Sequence, residues 1–473
     1  MMDGLELFRI TGLSLTVLIL IGFIGLVVLR YALGNFHGDP DRNRFIRHYL
    51  LTLLAVGVTV TSNHLIIFAA GWVAISLSLH QLLLFYPDRP RAALAAHKKF
   101  LFARLAEVLL ITAFVLLYLQ HQTLNIQTLL EHYKQTGTVT ALDHLIACLL
   151  ASVALIKCAQ LPLHGWLIQV VESPTPVSAL LHAGIVNLGG FLLLLFAPLF
   201  SLSPIAQWLV LIVAGLSCVL AALVMMTRIS IKVRLAWSTI AQMGLMLVEC
   251  ALGLYELALL HLVAHSCYKA HAFLASGEAV NHYLRGEVAN APLPTRRHWA
   301  IAATVVILPA ALAFAAGHLT TPLSPWILVG IACCTLLAFH FSARRRSVVR
   351  GLIMSGAGVI AYLLATALVG LITENLSHQT SMIADAWISS LFMLQFGLFL
   401  ILLYVPQWSW SQRCFIAMNA GFYLDEWASR LTLWIWPLEL PPSLSRKQVQ
   451  LSEHNLLTDL QTDLQAGTMG ETP

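Results

Sequence analysis

The chain has 473 residues, 59% apolar and only 10% charged, whereas soluble domains carry about 25% charged residues. With a mean hydropathy of +0.80, a water-soluble fold of this length is excluded. The formal net charge of +5 does not mark a nucleic-acid binder, because nearly all Lys and Arg fall in short stretches between apolar runs, the pattern that reports membrane orientation. The eight cysteines lie mostly inside apolar runs without CxxC or Cys/His ligand spacing, so they read as packing residues.

Crossing a hydrocarbon core of ~30 Å takes about 20 helical residues. In chain order, suitable segments fall at 13–33, 47–62, 64–86, 99–120, 142–171, 176–198, 205–226, 234–253, 256–281, 299–318, 324–342, 351–372 and 384–406. The expected fold class is an all-α membrane protein with about 13 transmembrane helices. The first segment is too long for a signal-peptide core and lacks a small-residue cleavage site, so it is expected to remain.

Positive charge alternates by side. Arg42, Arg44 and Arg47, then Arg89, Arg91, Lys98 and Lys99, then Arg228, Lys232 and Arg234 share one face with further clusters near 285–297, 344–350 and 413–447, against Arg9 and Lys134 on the other. Loops rich in Lys and Arg are cytoplasmic, so the N-terminus is expected outside and the C-terminus in the cytoplasm.

The segment 142–171 would measure ~45 Å as one straight helix, and Pro162 follows Lys157 by five residues. A broken helix is expected there, of the kind that lines ion paths in transporters. A second interruption, Gly317 to Pro325, lies five helices later. An offset of five reverses direction, so 47–198 and 205–342 are expected as inverted repeats, with extra helices at 351–406 completing a transmembrane domain over 1–406. Trp408, Trp410, Trp427, Trp434 and Trp436 mark 407–440 as an amphipathic interfacial segment, and 441–473 reads as a polar cytoplasmic tail.

Ionisable residues inside apolar segments are the functional signal, since their burial is costly and they commonly mark ion pathways. His261, His265 and Lys269 recur at spacings of four, one face of a helix. Lys157, beside the proline break, and His182, on the helix that Pro176 starts, suggest a second proton-handling cluster. Arg104 and Glu107 stand three apart, either as a neutralised pair or with Glu107 tuning Lys157. His64, His80 and Glu249 are weaker candidates. The bland alternative is that these groups only hydrogen-bond helices together; haem ligation by His80 or His182 would need opposed histidine pairs, which the pattern does not offer.

Several runs resemble the antiporter-like subunits of respiratory complex I and of multisubunit cation/proton antiporters. The strongest are Lys157-Cys-Ala-Gln-Leu-Pro-Leu-His-Gly-Trp166, Glu172-Ser-Pro-Thr-Pro-Val-Ser-Ala-Leu-Leu-His-Ala183 and Ile231-Lys-Val-Arg-Leu-Ala-Trp-Ser-Thr-Ile-Ala-Gln-Met-Gly244. The resemblance implies proton-relay roles for Lys157, His182, His261, His265 and Lys269, with Glu107 beside them. Accessory roles are expected for Glu172, Arg104, Lys232 and His318.

Three departures stand out. The Gly-Trp-Glu motif of the family is Gly71-Trp-Val73 here, removing its lysine-tuning carboxylate. The stretch Ala315-Ala-Gly-His-Leu-Thr-Thr-Pro322 lacks the family's second lysine. By the resemblance the chain is also expected to start after the family's first two helices and to be without its long lateral helix.

Within that family the chain resembles the shortened DabB-type branch through Tyr268-Lys-Ala-His-Ala-Phe-Leu274 and Asn419-Ala-Gly-Phe-Tyr-Leu-Asp-Glu-Trp427. That resemblance implies the membrane half of a two-component inorganic carbon (CO2/bicarbonate) uptake system in the cell inner membrane. It implies a DabA-like, zinc-containing, cytoplasm-facing partner subunit, with no cofactor or metal in this chain. Protons and membrane lipid are the other expected partners. The alternatives are a proton-translocating subunit of a complex I-like, hydrogenase-linked or antiporter assembly, and a structural anchor for a cytoplasmic enzyme. No nucleophile, metal or nucleotide motif supports an enzyme.

Overall fold

The computed structural model describes residues 6–86, 89–278, 292–315, 322–342, 348–370 and 381–437. The chain divides into units of residues 1–436 and 437–473, and every helix below belongs to the first. These are α1 (Gly12–Asn35), α2 (Arg42–Thr61), α3 (Leu65–Leu83), α4 (Pro90–His121), α5 (Ile126–Thr136), α6 (Ala141–Lys157), α7 (Gly165–Gln169), α8 (Thr175–Ala183), α9 (Leu188–Leu195) and α10 (Ala197–Phe200). There follow α11 (Pro204–Met226), α12 (Ile231–Ala251), α13 (Tyr255–Leu274), α14 (Arg296–Ala315), α15 (Ser324–Ser342), α16 (Val348–Gly370), α17 (Met382–Tyr404), α18 (Ser409–Asn419) and α19 (Glu426–Ile435). Among the described residues the only β pairings are two isolated bridges. The fold is all-α, and among the described residues eight stretches are long and apolar enough to cross a membrane.

Helix starts follow local chemistry. At α1, Thr11 accepts from the Ser14 backbone while Ser14 Oγ accepts from the Thr11 N–H. Thr140 and Asp143 form the same reciprocal cap on α6, satisfying N–H groups that have no partner inside the helix. Pro90 occupies the first turn of α4, where a missing N–H costs nothing.

That start moves α4 back from the expected 99–120. Lys98 and Lys99, expected among the loop charges, lie inside the helix and are buried. The reason is that a helix begins where its cap and first-turn chemistry allow, not where hydropathy rises. The structure also holds an amphipathic α5 that the apolar ruler passes over.

The segment 142–171 is broken as expected. α6 stops at Lys157 and the helical path resumes at Gly165. Segment 176–198 is broken too, after Ala183, with a 3-10 turn at Ile185–Asn187 before α9. No proline marks that second break.

At membrane depth, irregular backbone survives only where protein or cavity water satisfies it. Here one bond joins the two breaks and neighbouring helices supply the rest. Cys158 Sγ donates to the Val186 carbonyl (3.3 Å), Leu161 N donates to Ser217 Oγ on α11 (3.0 Å), and Gln160 Nε2 donates to the carbonyls of Cys158 (2.7 Å) and Ile240 (3.3 Å). On the other strand of the path, Asn187 Nδ2 donates to Ala183 O (3.0 Å) and Ser266 Oγ (2.7 Å). Gly189 permits the approach, because a Cβ there would lie 2.7 Å from Ala154 O and 2.6 Å from Cys158 Sγ.

The second expected interruption is described at its flanks only: α14 ends at Ala315 and α15 begins at Ser324, while His318 lies outside the described residues. The start of α15 is capped from a distance. Asp385 on α17 accepts from the N–H groups of Leu323 (2.7 Å) and Ser324 (2.8 Å). Asp385→Ala would strand both donors, at a cost of about 2–4 kcal/mol. Its thermal unfolding in detergent is expected at clearly lower temperature than wild type, with Asp385→Asn, which keeps an acceptor, in between.

Candidate functional site

The sequence candidates fall into two buried groups. In the first, Lys157, the last residue of α6, places Nζ 4.7 Å from the centroid of the Trp72 ring. With Lys99, Glu107, Trp166 and Ile185 it lines a cavity of about 20 Å3, enough for one water molecule.

Glu107 is held by Arg104 Nη2 at 2.8 Å, and the same guanidinium nitrogen reaches Ser76 Oγ at 3.0 Å. Lys99 Nζ donates to Ser76 O at 2.7 Å. Arg104 and Glu107 thus form an ion pair, and Glu107 also lines the cavity beside Lys157. Val73, where the family's carboxylate is missing, is half-buried on a wide apolar groove with Ile66, Ala69 and Phe114.

The second group spans α8, α12 and α13. Lys269 Nζ, fully buried, donates to the Leu235 carbonyl (3.0 Å). The same oxygen accepts from Thr239 Oγ1 (2.9 Å), which lies 3.1 Å from His182 Nδ1. With the hydroxyl proton spent on the carbonyl, His182 donates from Nδ1 and keeps Nε2 as a free acceptor. That Nε2 is buried without a protein partner, and the ring stacks on Phe273 at 4.4 Å.

Further along α13, both ring nitrogens of His265 are buried and unpartnered. His261 lies beyond it, ring centroids 6.2 Å apart, with Nδ1 3.0 Å from Glu249 Oε2 on α12.

This geometry redraws the expected pairing. His182 was grouped with Lys157, yet its hydrogen bond runs to α12 and the Lys269 group. Among the described residues no hydrogen bond joins it to Lys157; Ile185, in the turn after His182, lines the Lys157 cavity instead. The reason is the break after Ala183, which the sequence does not announce.

Glu249, expected to be a bland core residue, becomes the partner of His261. The signal was present, since the two face each other across the short α12–α13 turn. Thr239, the Leu235 carbonyl, Ser76 and Lys99 were not singled out, because each matters through a contact with a distant helix. His64 takes the bland role, its Nδ1 accepting from Ile66 N at the start of α3. Glu172 is exposed beside the start of α8, and Lys232 donates to Thr175 Oγ1 (3.0 Å) there.

One further ion pair is absent from the sequence reading. Lys98 Nζ, fully buried, lies 2.7 Å from Asp425 Oδ2 and 2.7 Å from Ser429 Oγ. Burial raises the Asp425 carboxyl above its ordinary value, and the Lys98 ammonium opposes that shift. Among the described residues no group of three or more His, Cys, Asp or Glu is placed to hold a metal ion.

The chain is similar to known proteins. Residues 62–290 match the family described as NADH:quinone oxidoreductase/Mrp antiporter, transmembrane, and residues 7–46 match the N-terminus of complex I chain 5. The fold is similar to a chain of the Mrp complex from Dietzia sp. DQ12-45-1b, with TM-score 0.60 and 20% identity, covering 98% of this chain and 56% of that one. This is the class of antiporter-like membrane subunits. Two curated relatives narrow it: the probable inorganic carbon transporter subunit DabB of Hydrogenovibrio crunogenus is 47% identical over 94% of this chain and 87% of the relative. The subunit DabB2 of Halothiobacillus neapolitanus is 35% identical over 91% and 80%. The chain belongs to the DabB family of inorganic carbon transporter subunits, a multi-pass membrane family.

The shared Leu235 carbonyl yields a test. Thr239→Val removes the hydroxyl at nearly constant volume and leaves both His182 nitrogens unpartnered, costing about 1–3 kcal/mol. A lowered thermal midpoint in detergent is expected for Thr239→Val, with Thr239→Ser close to wild type.

Proposed function

We propose that this chain is the proton-conducting membrane half of a two-component inorganic carbon uptake system, coupling the proton gradient to a zinc-bearing, carbonic-anhydrase-like partner on the cytoplasmic side. The observation that carries the reading is the buried link from Lys269 through the Leu235 carbonyl and Thr239 to His182, with Lys157 at the neighbouring break. Ionisable groups so buried serve proton transfer when they exchange partners, and imidazole takes and gives protons near neutrality.

In this reading protons enter from outside, pass Glu249, His261, His265, Lys269 and His182, and reach the cytoplasm through the Lys157 group, with Glu107 in place of the carboxylate missing at Val73. The energy suffices. One charge moving through 100 mV releases ~2.3 kcal/mol, and tenfold accumulation costs ~1.4 kcal/mol, so one proton supports roughly forty-fold enrichment. A subunit of a complex I-like or antiporter assembly would use the same residues. The share of each relative spanned, 87% for the DabB relative against 56% for the Mrp chain, supports the carbon-uptake reading over that one.

Lys157→Ala and Lys269→Ala, inserted at wild-type levels, are each expected to abolish growth in air-level CO2 while leaving growth in elevated CO2 intact. Growth of either variant in air would overturn the coupling, and uptake that ignores an uncoupler would favour an anchoring role. The proposed orientation in the inner membrane, N-terminus outside and C-terminus cytoplasmic, predicts that a C-terminal cysteine tag resists a membrane-impermeant thiol reagent until the cells are opened.

A further inference from the structure

The interfacial segment predicted from its tryptophans does more than lie against the bundle. Between α18 and α19 it delivers Asp425 to Lys98, a buried lysine of α4. Asp425 reaches that position only because residue 165 is glycine: a Cβ at Gly165 would lie 1.4 Å from Asp425 Oδ1. Gln169 Nε2 sits 3.5 Å from the other carboxylate oxygen.

The carboxylate faces a cavity of about 370 Å3, shared with His164, Gln169, Arg228, Trp237 and Arg430. His164 is fully buried, its ring facing the Pro162 carbonyl without a well-formed hydrogen bond, and Asp425 Oδ1 and Gln169 Oε1 are likewise buried without protein partners. Buried polar atoms are nearly always satisfied, so unsatisfied atoms of three residues on one cavity mark it as water-filled, and two of the three, Asp425 and His164, can exchange protons with that water. Trp166 and Gln169 both belong to α7, yet Trp166 lines the Lys157 cavity and Gln169 lines this larger one. A single turn of helix divides the two.

We infer that Asp425 is a proton-transfer group at the mouth of the Lys157 compartment, with Lys98 as its inner partner and His164 as its neighbour across the cavity. This rests on the proton-conducting reading above. The Lys98 ammonium gives a proton to the Asp425 carboxylate, leaving a neutral amine and a carboxylic acid. The acid releases the proton to cavity water, and the amine is reloaded from the Lys157 compartment, which Lys99, the next residue of α4, lines. The net step moves one proton from the compartment to the open side and runs equally in reverse. The C-terminal segment thus supplies a working residue, not only an anchor.

The test is proton flux into proteoliposomes holding the full chain with its partner, driven by an imposed potential and read by an entrapped pH-sensitive dye, with inserted protein matched between variants. Asp425→Asn is expected to slow flux about a hundredfold, comparably to Lys157→Ala, and Asp425→Glu to restore most of it. His164→Gln should slow flux several-fold. Gly165→Ala removes no titratable group but displaces the carboxylate, and should slow flux as Asp425→Asn does.

The double variant Lys98→Gln with Asp425→Asn separates chemistry from packing, because it removes both charges together. Continued slow flux supports the inference; recovery toward wild type overturns it and leaves a structural ion pair. Wild-type flux in Asp425→Asn beside a dead Lys157→Ala overturns it while sparing the proton-conducting reading. Wild-type flux in Lys157→Ala overturns both.

Discussion

The structure depends on backbone that leaves the helix inside a membrane without leaving its hydrogen bonds unmade. Two neighbouring helical paths break close together, joined by one bond and otherwise satisfied from α11, α12 and α13. Cys158 on one path bonds the Val186 carbonyl on the other, while Ser217 of α11 and the Gln160 amide take up what remains near Pro162. In hydrocarbon each unmade bond would cost several kcal/mol, so neither break is tolerable alone. The pairing also positions the chemistry: Lys157 is the last residue before one break, and His182 is the last but one before the other.

The buried ionisable residues divide accordingly. Lys157 packs on α3 and α4, over Trp72 and near Glu107. His182 turns toward α12 and shares, through Thr239, a carbonyl with Lys269. That backbone oxygen lies inside α12, and beyond its place in the helix it accepts from both the Thr239 hydroxyl and the Lys269 ammonium. The result is two polar groups, with Ile185 of the second break lining the cavity of the first.

Much of this was legible in the sequence, for identifiable reasons. Long apolar runs become helices whatever their neighbours, and a proline five residues beyond a lysine announces its own break. The spacing of His261, His265 and Lys269 is a property of one helix and survives any tertiary arrangement. What stayed hidden depends on contacts between distant segments. The break after Ala183 carries no proline and is read only once Asn187 is seen bonding Ser266. Lys98 and Lys99 looked like loop charges because hydropathy falls there, although Pro90 offered a helix start well before them. Asp425 lies 327 residues from Lys98, and no local pattern links the two.

The compartment beside Lys157 is small, about 20 Å3. A sodium ion wearing even part of its hydration shell needs several waters around it, and that space admits one. On the proton-conducting reading proposed above, such a restriction would select by size before any charge is compared: a proton, which needs no room of its own, can hop where a metal cation would have to be stripped bare. Selectivity would then be a matter of volume, with the tight packing of Trp72, Trp166 and Ile185 acting as the sieve.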